Sequence, residues 1–172
     1  MTVQLVSPVP AWWYRPLVWA WLRERPDLNF DDHGPQTVAE FEVEMQRRVD
    51  AGERTWGVYA DGAPCGLIGY LPITATVGSF HGICFTEPVH GTGVPQAAVR
   101  RVLGELYLSG VEKVSASFFA TNVRVHRFFL GLGATDEGVL RAQTRQHGRP
   151  MDLRLMALFA LAALETPMER RG

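Results

Sequence analysis

Halfway along the chain, a strand-like run passes through two glycines into a helix: Glu87-Pro88-Val89-His90-Gly91-Thr92-Gly93-Val94-Pro95-Gln96. Glycine tolerates tight turns and close approach of a ligand to the backbone. The unpaired amides at the following helix start form an oriented anion site. A phosphate or pyrophosphate suits such a junction, with an ordinary turn as the alternative reading of the motif alone. A P-loop would need a Gly-Lys-Ser/Thr ending, which is absent. A dinucleotide fingerprint would need a third glycine and an early acidic strand end, where this chain has Pro95-Gln96-Ala97-Ala98. The junction also lies too far from the first strand for that fold, which leaves a different phosphate-bearing cofactor.

The surrounding pattern reads as one α/β unit. A first strand at 3–6 precedes a tryptophan-dense segment, 8–26, with a helix expected over 16–25 because Pro16 fits a first helical turn. Residues 29–35 read as a turn. Thr37 is a plausible N-cap for a helix whose apolar row is Val38, Phe41, Met45 and Val49, ended by Gly52. Strands follow at 55–60 and 65–73, joined by Asp61-Gly62, a pair that readily takes positive φ. A third strand is expected over 78–86, then a helix over 95–108 with Ala98, Val102 and Leu106 facing inward, and a strand over 111–118. Asn122 opens a short helix to Gly131 or Gly133, and strands at 135–143 and 151–159 close a hairpin around His147-Gly148. A helical crossover between the strands ending at 86 and beginning at 111 makes those two parallel. The fold class is therefore α/β (α+β): a mixed central sheet of six to seven strands with helices on both faces.

The 172 residues are 47% hydrophobic and 20% charged, which fits one domain with one buried core. Its parts are the N-terminal strand and helices (1–53), a meander and core (54–119), a C-terminal helix and hairpin (120–159) and a tail (160–172). The net charge of −1 gives no general attraction to nucleic acid or an anionic membrane. Local basic patches remain open, since Arg124, Arg127, Arg141, Arg145 and Arg149 share the second half. Cys65 and Cys84 lie in apolar runs and read as buried thiols, fitting a reducing, cytoplasmic setting. No secretory leader pattern is present at the N-terminus, and no apolar run approaches the ~20 residues of a membrane span. Zinc-ligand spacing and a Gly-x-Ser-x-Gly nucleophile motif are both absent, so no metal site is expected.

The ordered combination of strand, turn, helix, strand and Asn-started helix resembles the GNAT acetyltransferases. His90-Gly91-Thr92-Gly93-Val94-Pro95 is similar to that family's phosphate-binding turn, and Asn122 to Ala134, with Phe128-Phe129 and Leu132-Gly133-Ala134, to its second motif. The hairpin carrying Asp136, Gly138, Arg141, Gly148 and Asp152 is similar to the closing hairpin of its amino-group acetylating branches. The resemblance implies a sheet splayed in the middle and acetyl-coenzyme A as cofactor. It places the diphosphate on amides around His90, Gly91, Thr92, Gly93, Val94 and Gln96, and the pantetheine arm along Phe85 and Thr86. Asn122, Arg127 and Phe129 would also face the cofactor. It further implies transfer of an acyl group to a primary amine of a small molecule or a protein, arriving from the side of the tryptophan-rich helices.

Three positions depart from the family pattern. His90 stands where Arg or Gln is usual, Pro95 offers no amide, and Phe129 occupies the position that often carries a general-acid tyrosine. His81 and Glu87 are the candidate bases, each with a structural reading beside the catalytic one. His126 reads with Arg124 and Arg127 as a solvated or phosphate-facing basic patch. Trp12, Trp13, Trp19 and Trp21 read as packing, with an acceptor pocket, self-association or an assembly surface as the alternative. The departures also motivate a second class of function: a GNAT-like fold kept as a structural module in a larger assembly such as a phage particle, which would place it in the virion. Some bacteriophage proteins share the Asn-x-x-x-x-Arg-Phe helix followed by Leu-Gly-Ala.

Overall fold

Strand β3 (Ala63–Pro72) organises the sheet because it alone has three strand partners. On one side it pairs antiparallel with β2 (Arg54–Ala60), which in turn pairs with β1 (Val3–Val6). On the other side it pairs with β4 (Val77–Phe80) near its C-terminal end and with the two-residue β5 (Cys84–Phe85) further back. Beyond β4 come β6 (Lys113–Phe119), β8 (Arg149–Phe159) and β7 (Thr135–Gln146), giving the order β1-β2-β3-β4-β6-β8-β7 with β5 off the path. Only β4 and β6 run parallel, as the helical crossover requires. The computed structural model describes residues 2–9, 11–24 and 34–160, and for 11–16 and 24 the backbone only. The side chains of Trp12 and Trp13, most of the expected 29–35 turn and the tail from 161 onward lie outside the described residues.

Neighbouring side chains on β3 point to opposite faces, and Ile68 and Leu67 accordingly belong to two different cores. On the first face lies α3 (Val94–Leu108), whose Ala98, Val99, Val102 and Leu106 are fully buried against Trp56, Val58, Ile68, Val114 and Met156. The Trp56 indole N–H donates to Glu105 on this helix at 2.9 Å, and Arg101 donates to the Val3 carbonyl at 2.7 Å. The short α4 (Val123–Gly131) adds Phe129 to the same core. On the second face, α1 (Ala11–Glu24) and α2 (Val38–Asp50) bury Val18, Phe41 and Met45 over Leu67, with Trp19 and Phe41 rings 5.4 Å apart. No helix among the described residues is long and apolar enough to cross a membrane.

Four expectations are corrected. The third meander strand is two strands, because the chain breaks at His81-Gly82-Ile83 with Gly82 at φ +75°, so the sheet has eight strands instead of six or seven. Helix α1 begins at Ala11, not at Pro16, and so gives up the one bond that the missing Pro16 N–H would have donated. The apolar row of α2 is buried only at Phe41 and Met45, while Val38 and Val49 overhang the core at the helix ends. The closing hairpin has longer arms, which meet at a tight His147-Gly148 turn with both residues at positive φ.

The break after β4 is held against β3 at a point with no room for a side chain. The His81 N–H donates to the Gly69 carbonyl at 2.8 Å. A Cβ at Gly69 would lie 2.1 Å from the His81 carbonyl oxygen and 2.3 Å from the Glu53 carboxylate. Gly69→Ala is therefore expected to destabilise the protein by about 1–3 kcal/mol, the usual cost of overpacking. Gly104→Ala, in the exposed middle of α3 with open space around it, is expected to stabilise by about 0.5–1 kcal/mol. Urea denaturation of the two variants checks both, and equal midpoints would contradict the packing argument.

Candidate active site

Strands β4 and β6 stay paired for three residues, from Val77↔Lys113 to Ser79↔Ser115, and then part. Past the break, β5 remains on β3 and does not rejoin β6. The Thr86 N–H donates to the Cys65 carbonyl at 2.9 Å, so the alternation of the ladder turns the main-chain groups of Phe85 to the open side. The Phe85 ring folds over Gly66, where an added Cβ would come within 2.4 Å of it. A strand edge with no neighbour thus faces a gap in the middle of the sheet.

Two cavities meet at this gap. The first, of about 600 Å³, is lined by Trp21, by Cys84 and Phe85 of β5, by Glu87, His90, Gly91, Pro95 and Gln96 of the turn, and by Arg124, Arg127 and Phe128 of α4. Gly91 and Gly93 both stand at positive φ, +77° and +85°, with open space around them, so conformation and not crowding demands glycine there. The Thr92 N–H is bonded to the Val89 carbonyl and the Val94 N–H to the Thr92 hydroxyl, both at 3.3 Å. Among the described residues, the N–H groups of Gly91, Gly93 and Gln96 find no acceptor, and the buried Oε1 of Gln96 also has no partner. Arg124 and Arg127 are exposed at the rim and have no carboxylate partner among the described residues. The free amides of Gly91, Gly93 and Gln96 and the two guanidiniums together fit a diphosphate. Burial pushes the Cys84 thiol up to about 12, so it stays protonated and inert at neutral pH.

The second cavity, of about 390 Å³, lies on the other side of the gap. Its walls carry Phe41, Phe80, Phe118, Phe119 and Phe129, with Arg48, His81 and Ser117 as polar groups. Ile83, Asn122, Val125 and Phe129 line both cavities and form the partition between them. Asn122 is 7% exposed, and its side-chain oxygen accepts the Val125 N–H at 3.2 Å, capping α4. Phe129 stacks on Phe118 at 5.7 Å and meets Phe128 edge-on at 5.5 Å. The partition is therefore rigid and apolar, apart from one capped amide.

The structure separates the two candidate bases. His81 opens onto the second cavity, with Nδ1 3.6 Å from the Glu53 carboxylate, while Glu87 is exposed in a 3₁₀ turn on the rim of the first. His126 does not join Arg124 and Arg127 at the cleft: its Nε2 lies 3.3 Å from Asp136, which Arg154 also grips. Asp136 is held below the usual carboxylate range by the Gly138 N–H, Arg154 and His126 together, so this trio fastens α4 to the closing hairpin. Trp19 packs on Phe41, and Trp21 lines the first cavity.

Two residues were not singled out in the sequence. Glu53 is almost wholly buried, its side chain 3% exposed, and nothing local marks an acid just past a helix-ending glycine. Arg48 did carry a signal, because it follows Phe41 and Met45 at helical spacing and so puts a charge in an otherwise apolar row. Its Nε donates to Glu44 at 2.8 Å, and hydrogen bonds from Arg47 and Arg48 hold the Glu44 carboxyl at about 2.

A family model described as the acetyltransferase (GNAT) family matches residues 10–134. No curated protein matches the sequence. Among solved structures, the chain resembles a spermidine N-acetyltransferase from Vibrio cholerae in complex with CoA and spermine, with 18% identity, a TM-score of 0.75, and 94% of this chain and 98% of that one covered. It also resembles a Salmonella typhimurium acetyl transferase that modifies the N-terminal serine of 50S ribosomal subunit protein L7/L12, with 11% identity, a TM-score of 0.79, and coverage of 93% and 96%. A third likeness is to a ribosomal-protein-alanine N-acetyltransferase from Brucella melitensis, with 14% identity, a TM-score of 0.74, and coverage of 93% and 100%. At such identities the structures speak for the fold, and the family model, spanning most of the sequence, speaks for descent: this chain belongs to the GNAT family of acetyltransferases.

Proposed function

We propose that the protein binds acetyl-coenzyme A in the first cavity and catalyses direct acyl transfer to a primary amine held in the second. The observation that carries this reading is the juxtaposition of two cavities, one cationic with free amides and one aromatic with a histidine, across a gap in the sheet. When bound, acetyl-coenzyme A supplies an acyl group activated as a thioester. The N–H groups of Gly91, Gly93 and Gln96, with Arg124 and Arg127, would hold the diphosphate, and the open edge at Phe85 would pair with the amides of the pantetheine arm. Thr86, Thr92 and Val94 shape this surface but have their own N–H groups engaged within the protein.

On the acceptor side, His81 is the base. Glu53 faces Nδ1, which favours a proton on that nitrogen and leaves the Nε2 lone pair free for the amine. His81 would take up one proton of the amine as its nitrogen bonds to the acyl carbon and would pass that proton to solvent, the electron pair of the broken C–S bond leaving with the thiolate. Phe129 supplies no proton, and its ring, stacked on Phe118, closes the partition. A thiol of pKa near ~8.5 departs as an anion without a dedicated acid. Glu87, exposed on the far side of the partition, takes no part in the proton transfer.

Two outcomes check this reading. Coenzyme A at about 100 times its Kd is expected to add about 2.7 kcal/mol of stability, a rise in Tm of roughly 5–10 °C for a chain of this size. Gly93→Glu, which strains a positive φ and sets a carboxylate at the phosphate site, should abolish that rise, and an unmoved melting curve for the parent protein would sink the donor site. His81→Asn is expected to lower kcat by about 10²–10⁴-fold with the coenzyme A shift intact. Glu53→Gln should cause a smaller fall through the orientation of His81, and full activity in His81→Asn would assign the base elsewhere.

A further inference from the structure

We infer that the acceptor is a compact primary amine with an aromatic body and a carboxylate, in the manner of an aromatic amino acid. This rests on the acyl-transfer reading above for the location of the amine. It rests on the lining of the second cavity for the rest of the molecule.

Five phenylalanines line that cavity: Phe41 from α2, Phe80 from β4, Phe118 and Phe119 from β6, and Phe129 from α4. Phenylalanines from four different elements give the cavity an apolar lining that suits a flat ring. None of the described residues lining the cavity is acidic. The volume of about 390 Å³ lies toward the small end of ligand pockets.

Among the described residues, the wall carries one permanent cation, Arg48. Arg47 and Arg48 share the carboxylate of Glu44, while the buried carboxylate of Glu53 stands behind His81. Arg47 is 73% exposed and faces water, whereas the Arg48 side chain is 20% exposed. The hydrogen bond to Glu44 uses Nε and leaves the terminal nitrogens for another acceptor. One of them, Nη1, lies 3.5 Å from where a Gly82 side chain would begin, so Gly82 leaves that nitrogen open to the cavity. His81 is the next residue in the chain. The base for the amine and the cation for an anion therefore stand side by side on one wall, with the rings beyond them.

The test titrates the full chain, with coenzyme A present, with L-phenylalanine, phenethylamine and spermidine by calorimetry, and measures thiol release from acetyl-coenzyme A with the same three amines. Phenylalanine is expected to bind at least about tenfold tighter than spermidine. Arg48→Gln should weaken phenylalanine about tenfold, the usual worth of a charge-assisted bond, and phenethylamine less than about twofold. Tighter binding of spermidine, no binding of either aromatic amine, or an equal effect of Arg48→Gln on both aromatic amines would overturn the inference. Should Arg48→Gln fail to fold, the order of the three amines on the unmodified protein decides alone. Absence of thiol release with every amine, with the calorimetric order as expected, would remove the acyl-transfer reading and leave the acceptor chemistry standing.

Discussion

The arrangement of the site depends on a parallel strand pair that ends after three residues. Strand β4 holds β6 only from Val77 to Ser79, and the chain then turns at Gly82 and returns to β3 as β5. If the pairing continued, the sheet would close and the two cavities would have no common wall. The turn is pinned by the His81 N–H on the Gly69 carbonyl, where a missing side chain lets the backbone of one strand and the carboxylate of Glu53 crowd against β3. One close contact thus opens the gap, aims His81 and brings Glu53 behind it.

Charge is sorted across that gap. Among the described residues, the first cavity has free amides and unpaired guanidiniums at its mouth, and the second has one arginine among its phenylalanines. The cationic groups of the first cavity stay near solvent, whereas the arginine of the second stands among apolar walls. Between them, Asn122 and Phe129 do structural work: the amide caps α4 and the ring closes the partition. The same helix is tied to the β7–β8 hairpin through His126, Asp136 and Arg154. Its two faces therefore serve different ends, arginines toward the cleft and a histidine toward the hairpin.

Much of the fold was legible from local chemistry. Thr37 caps α2 with its hydroxyl on the Glu40 N–H, Asp61-Gly62 turns the first hairpin with both residues at positive φ, and Ala98, Val102 and Leu106 face the core. The Gly91 and Gly93 junction into α3 could be read directly, because a positive φ and a helix start both depend on a few adjacent residues. The break inside the third strand was not legible, since His81-Gly82-Ile83 is bracketed by apolar residues that suit a continuous strand. Nor was the burial of Glu53, whose neighbours in space come from β3 and the loop after β4, 16 and 28 residues away in the sequence.

By itself, the sequence determined most of the element order and the glycine turn with its helix, because these are set by backbone preferences acting over a few residues. Which amides remain free, which histidine meets a carboxylate, and which charge enters an aromatic pocket were decided only when the sheet assembled. Those outcomes depend on contacts between distant segments, where the position of a strand by a single residue determines whether a side chain faces water, a core or a cavity.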